Sequence, residues 1–92
     1  MVWNVAEDMA ETLRVLAHPV RLQIVALLGN EKRSIGSIAA MVDRKPAFTS
    51  QQLSIMKRRD VLARTRSGCR VYYRRDNRKL WMLILAGSLV VR

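Results

Sequence analysis

The hydrophobic pattern of this chain changes period at Asp60. Upstream, the apolar positions recur at helical spacing. They are Val5, Met9, Leu13 and Leu16 in residues 4–17, then Thr49, Leu53 and Met56 at i, i+4 and i+7 in residues 46–59. Downstream, Val61-Leu62-Ala63-Arg64-Thr65-Arg66 and Arg70-Val71-Tyr72-Tyr73-Arg74 read as two short strands, with Ser67-Gly68-Cys69 between them as a hairpin turn. A near-continuous apolar run of 12 residues, Leu80 to Val91, follows. A chain of 92 residues makes one domain at most. Its core is modest, and dimerisation would help it.

The helical part divides at its prolines. His18-Pro19 breaks the first run, because a residue before proline avoids helical geometry. Pro19 can then open a second helix, which Leu22, Ile24, Val25, Leu27 and Leu28 make largely buried and which Gly29-Asn30 ends. Ser34 is placed to N-cap a short helix, SIGSIAAMV, with Ile35, Ile38, Ala39 and Val42 inward. After the polar connection Asp43-Arg44-Lys45, Pro46 opens another helix that runs to about Arg59. Asp76 or Asn77 caps the last one.

Charge is distributed as unevenly as hydrophobicity. The formal net charge is +10. From Arg44 to Lys79 there are 12 basic and 2 acidic residues, and the rest of the chain carries 5 of each. The whole excess therefore sits in one 36-residue segment. Such clustering is the electrostatic footprint of a polyanion-binding surface. The bland alternative is a solvated basic face.

The apolar run 80–91 is too short for a bilayer span, which needs about 20 residues, so no membrane association is expected. Its alternatives are the chain's own core and a subunit interface formed by Leu80, Trp81, Ile84, Leu85 and Leu89. The N-terminus shows no basic leader followed by an apolar stretch, and a single cysteine builds no disulfide framework. The expected location is the cytoplasm.

Two short helices with a tight connection, followed by a basic hairpin, form the layout of a winged helix-turn-helix. The expected fold is mainly α with a small β-hairpin, in the order α-α-α-α-β-β-α, as a single domain over residues 1–92. The second helix of the pair fits the DNA major groove, and hairpin arginines reach phosphates or the minor groove. Ser50 and Gln51 head the free face of that helix, with Gln52 at its edge and Ala47, Phe48 and Ser54 nearby. Cations flank it: Arg44 and Lys45 before, Lys57 and Arg58 after. The wing adds Arg64, Arg66 and Arg70. The expected partner is double-stranded DNA.

Four stretches also resemble one family. LRVLAHPVRLQIVALL, SIGSIAA, TSQQLSIMKRRDVL and RSGCRVYY are similar, in order and in register, to signatures of the ArsR/SmtB winged-helix repressors. The resemblance covers about residues 10–75. It implies a homodimer paired through its first and last helices (residues 1–17 and 77–92), which adds Trp3, Val5, Met9 and Leu13 to the interface. It implies a palindromic operator and repression of a promoter. Three positions depart from the family pattern. Lys45-Pro46-Ala47 replaces a serine-rich turn, Phe48 replaces a small residue, and Gln52 stands where the family often has histidine.

Many members of that family sense metals, but this chain has no cysteine in KRSIGSIAA and no histidine or acid in NRKLWMLILAGSLVVR. One His and one Cys fall short of a tetrahedral N/S site. No metal and no cofactor are therefore expected. His18 reads as a structural turn residue. Cys69 reads as an exposed turn residue or a single-thiol sensor whose thiolate Arg66 and Arg70 would favour. Catalysis is not expected: the sequence has no histidine–acid–nucleophile set, phosphate loop or carboxylate cluster. Two alternatives remain, an architectural or RNA-binding winged-helix protein and a protein–protein adaptor using the last helix.

Overall fold

The computed structural model describes the backbone of residues 3–90 and the side chains of residues 4–82 and Ile84. His18 is extended (φ −150°, ψ 126°), as its following proline demands. It separates α1 (Trp3–Leu16) from α2 (Pro19–Leu28), which stops at Gly29 with φ 55°. Ser34 caps α3 (Ile35–Val42), its Oγ accepting the Ser37 N–H at 3.2 Å.

Aspartates close both helices of the central pair. Asp43 takes the left-handed conformation (φ 53°, ψ 52°). Its N–H reaches the Ala40 carbonyl at 3.3 Å, and Arg44 N–H reaches Ala39 at 3.1 Å. This is a Schellman closure with Asp at the position glycine usually holds. α4 (Pro46–Arg58) ends the same way, with Asp60 at φ 59°, Asp60 N–H on Lys57 and Val61 N–H on Met56, both at 3.0 Å. Val61 and Met56 are both fully buried and lock that end. At its start α4 has no side-chain cap, and Pro46 fills the first helical position. The Thr49 hydroxyl and N–H both donate to the Lys45 carbonyl at 3.0 Å.

The sheet has three strands where the sequence pattern announces two. β2 (Leu62–Ser67) and β3 (Arg70–Arg75) form the antiparallel hairpin, and β1 (Arg33–Ser34) adds on the far side of β3, pairing Arg33 with Tyr73 and Ser34 with Tyr72. Two residues beside a helix cap show no alternation, so β1 leaves no periodic signal. The turn is also tighter than expected. Ser67 pairs with Arg70, which leaves only Gly68 and Cys69 in the loop. Gly68 has φ +62° and Cys69 does not share that sign, the pattern of a type II′ hairpin turn.

The core gathers Val20, Ile24 and Leu28 from α2, Ile38 and Val42 from α3, Leu53 and Met56 from α4, and Val61, Leu62 and Tyr73 around the sheet. Leu22 and Leu27, expected inside, are 53% and 44% exposed. A ten-residue helix on the edge of a small domain buries one stripe. Val20, Ile24 and Leu28 fill it at i, i+4 and i+8, leaving the other two leucines outward.

α5 (Asn77–Val90) is tied down at its first turn. Asp76 N–H donates to the Val61 carbonyl at 2.9 Å, and its carboxylate accepts the Arg78 N–H at 3.2 Å and the Arg78 Nε and Nη2 at 3.0 and 2.6 Å. The Arg78 hydrogen bonds hold the Asp76 carboxyl below its ordinary value, against the opposing effect of burial. A depressed carboxylate stabilises the fold above its unfolded pKa, about 4, and loses that contribution as pH falls through the lower folded value. Asp76→Asn should therefore flatten the acid limb of the stability curve below about pH 4, followed by urea unfolding across pH. An unchanged acid limb would contradict the account. Lys79 Nζ holds the Asp8 carboxylate at 2.5 and 2.7 Å, joining α5 to α1.

Candidate nucleic-acid interface

The structure sorts the 12 cations of residues 44–79 into two groups. Arg59 pairs with Glu11, Arg78 with Asp76 and Lys79 with Asp8. Arg75 is half-buried and donates to the Val25 carbonyl at 3.4 Å. The other eight are Arg44, Lys45, Lys57, Arg58, Arg64, Arg66, Arg70 and Arg74. All are exposed, and among the described residues none has an ion-pair partner. Glu11, Asp76 and Asp8 thus neutralise Arg59, Arg78 and Lys79 and leave the other cations of α4 and the wing to solvent.

Cross-strand neighbours share a sheet face, which assigns the wing arginines. Arg64 pairs with Tyr73 and Arg66 with Val71, so both lie on the face that covers the core and extend it outward. Arg70 and Arg74, paired with Ser67 and Ala63, lie on the opposite face. The hairpin therefore carries cations on both sides of its tip, as needed to meet the two phosphate strands that border a groove. Arg74 was not among the expected contacts, although its position in the strand alternation pairs it with Arg70. On that same outer face, the Lys32 ammonium sits 5.4 Å from the centroid of the Tyr72 ring.

On α4, Ala47, Gln51 and Ser54 are exposed and Ser50 is half-buried. Ser50, Gln51, Ser54 and Arg58 line one shallow groove on the helix surface. Their hydroxyl and amide groups suit base-edge hydrogen bonding. Two expected readers turn inward instead. Gln52 is only 7% exposed, and its Oε1 accepts the Arg21 Nε at 2.8 Å. Phe48 is half-buried and packs on the core. Cys69 is exposed at the tip of the wing. Among the described residues no group of His, Cys, Asp and Glu is arranged to hold a metal ion, and no helix is long and apolar enough to cross a membrane.

The apolar residues assigned to a subunit interface also separate. Leu13, Trp81 and Ile84 are 54–60% exposed. Val5 and Leu80 are half-buried, and Leu80 packs on the core. Met9 is already buried within the chain and offers little to a partner, a correction to its assignment. The side chains of Trp3, Leu85 and Leu89 lie outside the described residues.

No family model matches the chain. Individual relatives do. It is 31% identical over 81 residues to the biofilm growth-associated repressor of Agrobacterium fabrum, covering 88% of this chain and 69% of that one. It is 36% identical over 74 residues to the transcriptional repressor PagR of Bacillus anthracis, covering 80% and 75%. Its fold superposes with a TM-score of 0.78 on a homodimeric winged helix-turn-helix DNA-binding domain from Mycobacterium bovis, a possible ArsR-family transcriptional regulator. That match covers 96% of this chain and 82% of the other at 26% identity. This chain belongs to the ArsR/SmtB family of winged-helix transcriptional regulators. In this ArsR-family member, α3 and α4 are the helix-turn-helix, β2 and β3 are the wing, and the eight exposed cations lie on α4, its flanks and the wing.

Proposed function

We propose that this protein is a homodimeric repressor that binds a palindromic operator in double-stranded DNA, acting in the cytoplasm as a binding protein and not as an enzyme. The observation that carries the reading is the segregation of charge: eight exposed cations without ion-pair partners among the described residues, on α4, its flanks and the wing. Residues 1–92 form one domain, in which 1–17 and 77–92 supply the dimer contacts. The exposed Leu13 on α1 and Trp81 and Ile84 on α5 support that pairing, since each leaves a large apolar side chain open to a partner. Repression follows from occupancy. A dimer covering a promoter excludes other proteins from it, and no metal is part of this reading.

Affinity and specificity have different sources in this arrangement. The cations neutralise phosphates at any sequence. Ser50, Gln51 and Ser54 read base edges. An exposed glutamine can form paired hydrogen bonds with adenine. Gln51→Ala should weaken operator binding by about 1–3 kcal/mol while leaving random DNA nearly unaffected. Titration of both DNAs with the variant checks this, and equal losses on the two would remove Gln51 from the reading role. Competition with single strands and RNA tests the class of partner. Duplex operator should compete best, and equal competition by RNA would instead support an architectural or RNA-binding protein.

A further inference from the structure

Arg21 is not one of the eight exposed cations, yet its side chain joins the two helices on which the proposed function depends. It sits half-buried on α2. Its Nε donates to Gln52 Oε1 at 2.8 Å, and its Nη1 donates to the Val15 carbonyl at 3.2 Å. Val15 belongs to the last turns of α1, and Gln52 adjoins Gln51 on α4. Gln52 and Val15 are buried and Arg21 is half-buried, so the bridge is partly shielded from solvent. The body of α4 rests chiefly on α3 and β2. The guanidinium therefore provides a separate tie, from the dimerisation helix to the reading helix. A planar donor fork with two acceptors fixes rotation as well as distance. The neighbouring α1–α4 tie, Arg59 to Glu11 at 3.2 Å, is exposed on both sides and constrains less.

We propose that Arg21 is a positioning residue that sets how strictly the protein discriminates the spacing between operator half-sites. This rests on the homodimeric operator reading. In a two-fold dimer each α4 is placed relative to its twin through α1. Inserting one base pair between half-sites moves one of them by about 3.4 Å along the duplex and turns it about the axis. An α4 held to α1 cannot follow that change, and an α4 released from it can.

The test measures binding to an operator at its native spacing and with one central base pair added or removed. The wild type, Arg21→Met, Gln52→Leu and the double variant are compared. Methionine keeps an apolar stem and removes every donor; leucine removes the acceptor and leaves Arg21 on Val15. Wild type should lose about tenfold or more when the spacing changes, and either variant should lose only about threefold, the double variant no more than either single because both remove one shared interaction. The readout is the ratio between spacings. A variant that is merely less folded loses the same factor on every DNA and leaves the ratio intact. An unchanged ratio in both single variants overturns the role of Arg21 alone. A wild type indifferent to spacing overturns it together with the palindromic-operator reading.

Discussion

Leu53→Ala is expected to lower the unfolding free energy by about 2–5 kcal/mol, the range for emptying a buried leucine site. Leu53 has no exposed surface, and it sits on the inner stripe of α4 in one cluster with Ile24, Ile38, Met56 and Val61. Those neighbours come from different elements, so no single one can move in to fill the space. Small domains have roughly 5–15 kcal/mol in all. A loss of this size removes much of the stability, and DNA binding should fall with it at 37 °C and recover partly on cooling. Urea unfolding at fixed protein concentration measures the change, since dimerisation links stability to concentration. A loss under about 1 kcal/mol would mean that α4 is not seated as described.

The largest effect on binding is expected from replacing Arg64, Arg66 and Arg70 together with alanine. All three are exposed, and none has an ion-pair partner among the described residues, so the fold and its far-ultraviolet dichroism should be unchanged. Each phosphate contact contributes about 0.9 to the slope of log affinity against log salt, so a dimer losing three from each protomer, six in all, should have its slope lowered by about 5.4 and its affinity reduced by several orders of magnitude at 0.1 M salt. The loss should be similar on operator and random duplex, because phosphates carry no sequence information. This contrasts with Gln51→Ala. A triple variant whose slope matches wild type would show that the wing does not touch the backbone.

Much of this architecture is legible in the sequence because short-range physics writes it. Pro19 and Pro46 mark helix starts, Ser34 caps α3, and the change to a two-residue period at Val61 announces the wing. The charge imbalance of residues 44–79 points to the basic surface, since surface cations need no tertiary information to be counted. The features that escaped depend on contacts between distant positions. β1 is two residues paired to Tyr72 and Tyr73, about 40 positions away, and nothing local marks it. Leu22 and Leu27 read as core by composition, yet Ile24 and Leu28 win the single buried stripe. Gln52 looks like a reader beside Gln51, but one step along a helix turns the side chain by about 100°, and Arg21 receives it there. The arginine within LAHPVRL was the available signal. A half-buried basic residue between apolar neighbours needs acceptors, although their identity required the fold.

A homodimer with this surface should read a two-fold symmetric duplex. Selection of bound molecules from a random pool of duplex DNA tests it most directly. The enriched motif should consist of two inverted half-sites with centres about one helical turn, or a multiple of it, apart. A pool that remains unenriched after repeated rounds, while binding stays tight at low salt, would contradict it.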